Sequence, residues 1–354
     1  MGRSFGVHAL VDGHDALLEV DTGSFELRLA PEFVSKYGID PARVFLKLGD
    51  VRELTLRPLV EELEGPDQTP FGTGFKAHED GIIGLDVLRR FALGLDLVDN
   101  KVAFWTDGRL GADTARSWTK GSDPGFATMT LSNSGRDDWF RLQVIVNGRP
   151  INALLDTGTA YSTVNPSLLT PLKLNVVGTT PVQEIGRLED LKVATADSIT
   201  FGSLSAEFPV LNVENDEDHD VDGILGTEAL GSGRFIIDMP GLTFYGERAP
   251  AARQNPLERR LRTLGIDTFP SGPKRILVLV KPQSDAEKQG VKSGDRLVSV
   301  GGLTVEDMFQ AMRESAKPEQ ARKLLDLALK AGNGDISIVV QKREGSSVTL
   351  ALPK

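Results

Sequence analysis

The sequence contains two copies of one short pattern, ALLEVDTGS at Ala16 to Ser24 and INALLDTGT at Ile151 to Thr159. In each copy an apolar, strand-like stretch leads into Asp-Thr-Gly, and a hydroxyl residue follows. A turn sequence precedes each copy, VDG ending at Gly13 and VNG ending at Gly148, and eight positions separate that glycine from the aspartate in both. Such turns between alternating apolar runs predict a β-hairpin that ends at the Asp-Thr-Gly loop.

The repeat continues beyond these loops. Two aliphatic residues followed by glycine occur at Ile82 to Gly84 in EDGIIGLDVL and at Ile224 to Gly226 in VDGILGTEAL. Both runs are followed by a pattern of strand, turn and strand, from Leu93 and from Phe235. Because the copies match in several ordered places, we interpret them as a duplicated, mainly β unit.

Composition excludes several classes of function. The chain has 354 residues, 40% of them hydrophobic and 25% charged, which is typical of a globular protein of two or three domains. A net charge of -10 without a basic stripe argues against nucleic acid and anionic membrane surfaces as partners. Because cysteine is absent, disulfides, thiolate nucleophiles and cysteine-based zinc sites are excluded.

The pattern along the chain predicts where the chain divides. We expect a first copy over residues 1–110, a polar linker over 111–125 and a second copy over 126–248. A charged linker over 249–257 and a third, α+β unit over 258–354 follow.

Apolar runs long enough to span a membrane are absent, and the N-terminus lacks the features of a signal peptide, so we expect a soluble protein. A strand-like stretch from Phe126 precedes the second copy and has no counterpart before the first. We therefore expect that the natural chain starts further upstream, and a removed signal for export to the periplasm or the exterior is one explanation.

The two aspartates of the repeat, Asp21 and Asp156, are the candidate catalytic residues. A single Asp-Thr-Gly is a weak signal because these residues also favour turns. Two copies meet a chemical need, since two adjacent carboxyl groups share one proton, and one can activate water while the other polarises a peptide carbonyl. Thr22 and Thr157 would brace the loops, and Gly23 and Gly158 would permit their close approach.

These residues resemble those of aspartic peptidases of the retropepsin-like superfamily, with two lobes in one chain as in pepsin-like enzymes. The resemblance covers about residues 5–246 and rests on DTGS, DTGT, IIG and ILG. It implies two pseudo-symmetric, barrel-like lobes, a catalytic pair of Asp21 and Asp156, and a polypeptide substrate. Ser24 and Thr159 would support the catalytic loops by hydrogen bonding, and no cofactor is needed.

The second copy is longer than the first by about 18 residues between its Asp-Thr-Gly loop and Gly202. β-branched residues on both sides of the extra segment predict a hairpin. By resemblance, this hairpin is the flap that shields substrate from water, with Glu184, Ile185, Gly186 and Arg187 at its tip.

Some features depart from the family pattern. Glu19 occupies the position that Leu154 has in the second copy, where the family prefers an apolar residue, and the first copy lacks a flap and a leading strand. Two alternatives therefore stay open beside a single-chain endopeptidase. The chain could be a peptide-binding adaptor whose lobes have lost activity, or a homodimer that uses only the Asp156 lobes. We expect a monomer.

The C-terminal region resembles a PDZ domain over roughly Pro256 to Lys354. Leu264, Gly265 and Ile266 match the loop that captures a peptide C-terminus through backbone N–H groups, and the next strand would accept the peptide by strand addition. In the alternative interpretation, TLGI ends a helix with a glycine cap. A helical insert over Asp307 to Ala331 departs from a minimal PDZ domain.

No metal site is expected. DHDVDG at Asp218 to Gly223 imitates the start of a calcium loop, but its twelfth position is Ala229 rather than glutamate. The four histidines are not spaced as metal ligands.

Overall fold

The structure is a computed structural model. It describes residues 5–50, 54–61, 63, 80–99, 101–106, 110–119, 127–130, 139–159, 161–184, 187–202, 204–207, 209–214, 221–230, 233–248, 256–270, 275–307 and 336–352. The chain divides into two compact units. Unit 1 comprises Met1–Glu64, Ala77–Asn175 and Ala196–Arg253, and unit 2 comprises Gly65–Lys76, Val176–Thr195 and Gln254–Lys354.

The described residues are mainly β-strand, as the alternating sequence pattern predicts. The first part of the chain forms β1 (Gly6–Val11), β2 (His14–Val20), β3 (Arg28–Leu29), α1 (Pro31–Tyr37), β4 (Val44–Lys47), β5 (Leu54–Leu56), β6 (Leu59–Val60), β7 (Gly81–Ile83), α2 (Leu85–Leu88), β8 (Ala92–Asp96), β9 (Lys101–Trp105), α3 (Ala112–Thr119) and β10 (Ala127–Thr130).

The second part forms β11 (Arg141–Val146), β12 (Arg149–Leu155), β13 (Ser162–Val164), a 3-10 helix (Pro166–Leu168), β14 (Asn175–Glu184), β15 (Arg187–Thr195), β16 (Ser198–Phe201), β17 (Leu204–Glu207), β18 (Val210–Val213), β19 (Gly223–Leu225), α4 (Thr227–Leu230), β20 (Gly233–Asp238) and β21 (Thr243–Arg248). The C-terminal region forms α5 (Pro256–Thr263), β22 (Ile266–Pro270), β23 (Ile276–Val280), α6 (Asp285–Lys288), β24 (Arg296–Val300), β25 (Leu303–Thr304), β26 (Ile336–Gln341) and β27 (Ser347–Leu352).

The two predicted hairpins are present with the same turn. Asp12 and Gly13 join β1 to β2 with φ of 49° and 83°, and Asn147 and Gly148 join β11 to β12 with φ of 49° and 79°. Two consecutive positive φ angles match the twist of antiparallel strands, and Asp, Asn and Gly tolerate them best. Each hairpin therefore leads directly into an Asp-Thr-Gly loop.

The two copies also share a parallel strand pairing. β2 pairs with β7, which places Val20 beside Ile83, and β12 pairs with β19, which places Leu155 beside Leu225. The first copy forms a seven-stranded sheet in the order β5-β4-β1-β2-β7-β3-β6. In the second copy, the strands that belong to unit 1 follow the order β18-β13-β19-β12-β11-β16-β17.

A third sheet of unit 1, in the order β10-β21-β20-β8-β9, combines strands of both copies. Its central strands β8 and β20 pair antiparallel and are buried along their whole length. Inside this sheet Arg234 forms an ion pair with Asp96 at 2.7 Å and with Asp99 at 2.9 Å. The chain segment 111–125, expected to be a linker, contains helix α3, whose Ala115 is buried in a cluster with Ile236.

Unit 2 contains the neighbouring strands β14 and β15 and the C-terminal elements. The C-terminal sheet follows the order β22-β23-β24-β26-β27, with β25 paired to β24. Ser284 directly precedes α6, and its side chain accepts the N–H of Glu287 at 3.2 Å and so caps the helix. Of the predicted helical insert, residues 308–331 lie outside the described residues. None of the described helices is long and apolar enough to cross a bilayer.

Candidate active site

The structure brings the two Asp-Thr-Gly loops together. The carboxyl groups of Asp21 and Asp156 lie close enough for each to influence the pKa of the other. A Cβ atom added to Gly23 would collide with the carboxyl group of Asp156, and one added to Gly158 would collide with that of Asp21. Each glycine therefore lies against the aspartate of the other copy, and a larger residue would separate the two carboxyl groups.

The two threonines hold the loops to each other. The N–H of Thr22 donates to Oγ1 of Thr157 at 3.0 Å, and the N–H of Thr157 donates to Oγ1 of Thr22 at 3.0 Å. Each hydroxyl then donates across the pair, Thr22 to the carbonyl of Leu155 and Thr157 to that of Val20, both at 2.7 Å. Since both threonines are fully buried, these four bonds have no competition from water.

Backbone N–H groups orient the carboxyl groups. Oδ1 of Asp21 accepts the N–H of Gly23 at 2.7 Å, and Oδ1 of Asp156 accepts the N–H of Gly158 at 2.8 Å. Oδ1 of Asp156 also accepts the N–H of Thr159 at 3.2 Å. The two carboxyl groups thus have matching orientations, although their hydrogen bonding differs in detail.

The hydroxyl residues that follow the two Asp-Thr-Gly sequences each bond to a carbonyl group two residues further along the chain. Oγ of Ser24 donates to the carbonyl of Glu26 at 3.4 Å, and Oγ1 of Thr159 donates to that of Tyr161 at 3.3 Å. Their side chains therefore support the chain just after the loop.

The Ile-Ile-Gly and Ile-Leu-Gly runs lie beside the loops, as the repeat predicts. The N–H of Asp21 donates to the carbonyl of Ile83, and the N–H of Asp156 donates to that of Leu225, both at 3.1 Å. Each aspartate is consequently fixed at its backbone by a buried strand of its own copy.

Burial determines the electrostatics of the pair. Burial raises the pKa of Asp21, whereas the hydrogen bond with Asp156 and the positive charge of Arg28 act in the opposite direction. Burial also raises the pKa of Asp156 well above its usual range, and the charge of Asp21 raises it further. Because burial raises the pKa of both aspartates and the charge of Asp21 raises that of Asp156 further, the pair favours a state that holds one proton.

Arg28 is a residue that the motif analysis missed. It lies in β3, its guanidinium forms an ion pair with Glu61, and its charge acts on Asp21. Arg28 belongs to no recognised motif, so only its position in the folded chain reveals that its charge acts on Asp21.

A second pair of aspartates was also missed. Oδ2 of Asp80 accepts the N–H of Leu17 at 2.9 Å, and Oδ2 of Asp222 accepts the N–H of Asn152 at 2.8 Å. Asp80 directly precedes the glycine that begins β7, and Asp222 directly precedes the glycine that begins β19. The Asp-Gly pair in EDG and VDG was therefore the sequence signal that could have revealed these two aspartates. Asp222 belongs to the stretch that imitates a calcium loop, and its carboxylate instead ties two strands together.

Glu19 in the first copy and Leu154 in the second occupy equivalent positions, but their surroundings differ. Glu19 is half-buried in β2, whereas Leu154 is fully buried in β12. The first copy therefore tolerates a charged residue where the second requires an apolar one.

The predicted flap tip falls in the turn between β14 and β15. Glu184 ends β14 and Arg187 begins β15, while Ile185 and Gly186 lie outside the described residues.

The TLGI segment has the geometry of a helix cap. The N–H of Leu264 donates to the carbonyl of Leu261 at 3.0 Å, and the N–H of Gly265 donates to that of Arg262 at 2.9 Å. Gly265 has a φ of 74°, and Ile266 is paired with Val280 in the sheet. Two of the N–H groups expected to bind a carboxylate therefore close α5, which is the glycine-cap interpretation.

Among the described residues there is no cluster of three or more His, Asp or Glu side chains that could hold a metal ion.

Comparison with known proteins identifies one part of the chain. Residues 142–229, which include Asp156 and the Ile-Leu-Gly run, match the family model described as Aspartyl protease. A solved structure of a retropepsin-like aspartic protease from Rickettsia conorii is similar, with 21% sequence identity and a TM-score of 0.27. That match covers 35% of this chain and 91% of the Rickettsia chain. No curated protein matches the sequence. The family match supports an aspartic protease.

Proposed function

We propose that this protein is an aspartic endopeptidase with one catalytic pair, Asp21 and Asp156, contributed by two lobes of the same chain. The lobes would be residues 1–110 and 126–248. The observation that carries the proposal is that each carboxyl group lies against the loop glycine of the other copy, in loops held together by the reciprocal bonds of Thr22 and Thr157. The family match of residues 142–229 agrees with it.

In the proposed reaction Asp21 is the base and Asp156 is the acid. Asp21, whose ionised form the positive charge of Arg28 favours, accepts a proton from water as the water oxygen attacks the peptide carbonyl carbon. Asp156, whose pKa is raised by burial and by the charge of Asp21, donates its proton to the carbonyl oxygen. The tetrahedral intermediate collapses when the proton on Asp21 passes to the amide nitrogen and the C–N bond breaks. The hydroxyl proton of the intermediate returns to Asp156, which restores the starting state.

The substrate would be an extended polypeptide, and the hairpin of β14 and β15 would act as the flap that excludes water. Strands pair through backbone groups, so an extended substrate can be held with little dependence on its sequence. Glu184, Ile185, Gly186 and Arg187 would contact the substrate at the hairpin tip.

A single-chain catalytic pair is favoured over the two alternatives. A homodimer that uses two Asp156 lobes would not require Asp21 to lie beside Asp156. A non-catalytic adaptor would have no need for a pair of buried carboxyl groups that share a proton. We therefore propose a monomeric enzyme.

The C-terminal region has a separate proposed role as a PDZ-like module that binds peptide by strand addition. Strand β22 is the last strand of its sheet order, and among the described strands only β23 pairs with it. Because the N–H groups of Leu264 and Gly265 are used by α5, the bound segment would be internal rather than a C-terminus. Peptides with free and with amidated C-termini should consequently bind equally well, as measured by titration calorimetry.

Cleavage of an unfolded protein tests the proposed function. The parent, Asp21→Asn and Asp156→Asn would be compared between about pH 3 and about pH 7. Asp113→Asn, a change at an exposed position of α3, is the matched control. We expect both catalytic-loop variants to lose at least about 1000-fold in rate and the control to match the parent. Activity that survives Asp21→Asn alone would support the homodimer, and an inactive parent would support the adaptor.

A further inference from the structure

One arginine of the C-terminal region bonds to the base of the hairpin formed by β14 and β15. Nη2 of Arg343, in the turn between β26 and β27, donates to the carbonyl of Val177 in β14. The same nitrogen donates to the carbonyl of Ser293 at 3.1 Å. A single guanidinium thus connects the hairpin, the turn before β24 and the turn before β27, all within unit 2.

The position of Arg343 is fixed by a buried carboxylate. Asp295 is 3% exposed, and its Oδ1 accepts the N–H of Arg343 at 3.2 Å. Its Oδ2 accepts the N–H of Lys292 at 2.8 Å. Since one carboxylate bonds to both turns, the guanidinium starts from a rigid base and loses little freedom when it bonds to the hairpin.

A glycine permits the close approach of the hairpin. Gly294 has a φ of 90°, and a Cβ atom there would collide with the carbonyl oxygen of Val177 and with the guanidinium of Arg343. The side chain of Val177 is 3% exposed, and a Cβ on the next residue, Gly178, would lie 3.1 Å from Cδ1 of Leu277. The base of the hairpin is therefore packed against the C-terminal sheet as well as hydrogen-bonded to it.

The orientation of a hairpin depends in part on what holds its base, and Arg343 bonds to the base of this one. The carbonyl oxygen of Val177 accepts its hydrogen bond from Arg343, which also bonds to Ser293 and Asp295. Gly294 leaves room for this carbonyl oxygen. A hydrogen bond from a charged donor is stronger than one between neutral groups, and the guanidinium of Arg343 is such a donor.

We propose that Arg343 is a positioning residue for the proposed flap, because it anchors the base of the hairpin of β14 and β15 to the C-terminal region. This inference rests on the proposed function for its effect on catalysis. The anchoring of the hairpin does not depend on the proposed function. Arg343 touches no reacting atom, and its effect is transmitted through β14.

Hydrogen exchange of the 354-residue chain measures the anchoring directly. In Arg343→Ala we expect amides of residues 176–195 to exchange at least about tenfold faster than in the parent, because the base of the hairpin loses its donor. Arg275→Ala is the matched control, since Arg275 is exposed and directly precedes β23 in the same region. Arg343→Lys retains a charged donor and should restore much of the protection.

Cleavage kinetics measure the effect on the proposed reaction. We expect KM for an unfolded substrate to rise several-fold in Arg343→Ala while the catalytic pair stays intact, because a loosely held flap clamps substrate less well. Arg275→Ala should leave both kcat and KM unchanged. Arg343→Gln, which keeps neutral donors and a similar size, replaces Arg343→Ala if that variant does not fold.

The outcomes separate the inference from the proposed function. Unchanged exchange of residues 176–195 in Arg343→Ala would overturn the anchoring. Equal acceleration in the hairpin and in β24 and β26 would also overturn it, because Arg343 would then only stabilise the C-terminal fold. If the parent does not cleave protein, the proposed function fails, and the exchange experiment alone still decides whether Arg343 anchors the hairpin.

Discussion

Thr22 and Thr157 hold each other by a reciprocal pair of hydrogen bonds, in which each backbone N–H donates to the other residue's hydroxyl oxygen at 3.0 Å. The residues are 135 positions apart in the chain. Each threonine lies between the aspartate and the glycine of its own loop. The contact between the two threonines therefore sets the separation of Asp21 and Asp156. The relationship determines whether two separate Asp-Thr-Gly loops become one site.

Replacing Thr157 by valine should destabilise the protein. The change leaves the N–H of Thr22 and the carbonyl of Val20 without partners in a fully buried site. An unsatisfied buried group costs about 1–3 kcal/mol, so we expect the free energy of unfolding to fall by about 2–5 kcal/mol in denaturant titrations. Thr157→Ser keeps the hydroxyl and loses one methyl group, and should cost only about 1 kcal/mol. Equal effects of the two variants would contradict the role of the hydroxyl.

Replacing Gly23 by alanine should abolish activity while the chain still folds. The added methyl group meets the carboxyl group of Asp156 and would displace it from Asp21. Misplacement of a catalytic group by about 1 Å can cost about 100-fold in rate, and we expect at least this loss of kcat/KM. Gly111→Ala is the control, because no atom lies within 4 Å of a Cβ at that position. Full activity of Gly23→Ala would show that the two carboxyl groups need not touch.

The stability of the parent should fall as the pH rises above the range of an ordinary aspartate. The pKa of Asp156 is raised well above 3.8 in the folded chain, so the folded state keeps a proton that the unfolded state has lost. The stabilisation is fully present below the unfolded pKa and disappears as pH rises through the folded pKa. Asp156→Asn removes this dependence, and its unfolding free energy should decline less between about pH 4 and about pH 8. Parallel curves for parent and variant would refute a raised pKa.

Removing the charge of Arg28 should move the acidic limb of the pH–rate profile to higher pH. The positive charge of Arg28 opposes the rise in the pKa of Asp21, and Asp21 must be ionised to act as the base. In Arg28→Gln the pKa of Asp21 rises further, so kcat/KM should reach its plateau only at a higher pH than in the parent. Arg28→Lys keeps the charge and should resemble the parent.

The ion pair of Arg28 with Glu61 requires one further variant. Arg28→Gln combined with Glu61→Gln removes both charges, so a shift that persists in the double variant belongs to the loss of Arg28 itself. A shift that vanishes there would assign the effect to the uncompensated charge of Glu61.

Several elements could be predicted because their causes are local. The Asp12–Gly13 and Asn147–Gly148 turns follow from residues that accept positive φ, and the helix Pro31–Tyr37 follows from a proline in its first turn and a left-handed Gly38 at its end. The mainly β content follows from alternating burial along the strands.

Other features had no local cause and were missed. Helix α3 lies in a polar segment expected to be a linker, and it forms where Ala115 can be buried against Ile236 of a distant strand. Arg28 acts on Asp21 only because β3 is placed beside β7.

The sequence by itself determined that two equivalent hairpins each end in an Asp-Thr-Gly loop, because turn chemistry and strand alternation act over a few residues. Tertiary structure alone decided that each carboxyl group lies against the loop glycine of the other copy, that burial raises the pKa of both aspartates, and that Arg343 bonds to Val177. These properties depend on burial and on contacts between residues more than 100 positions apart, and a pattern along the chain carries no information about either.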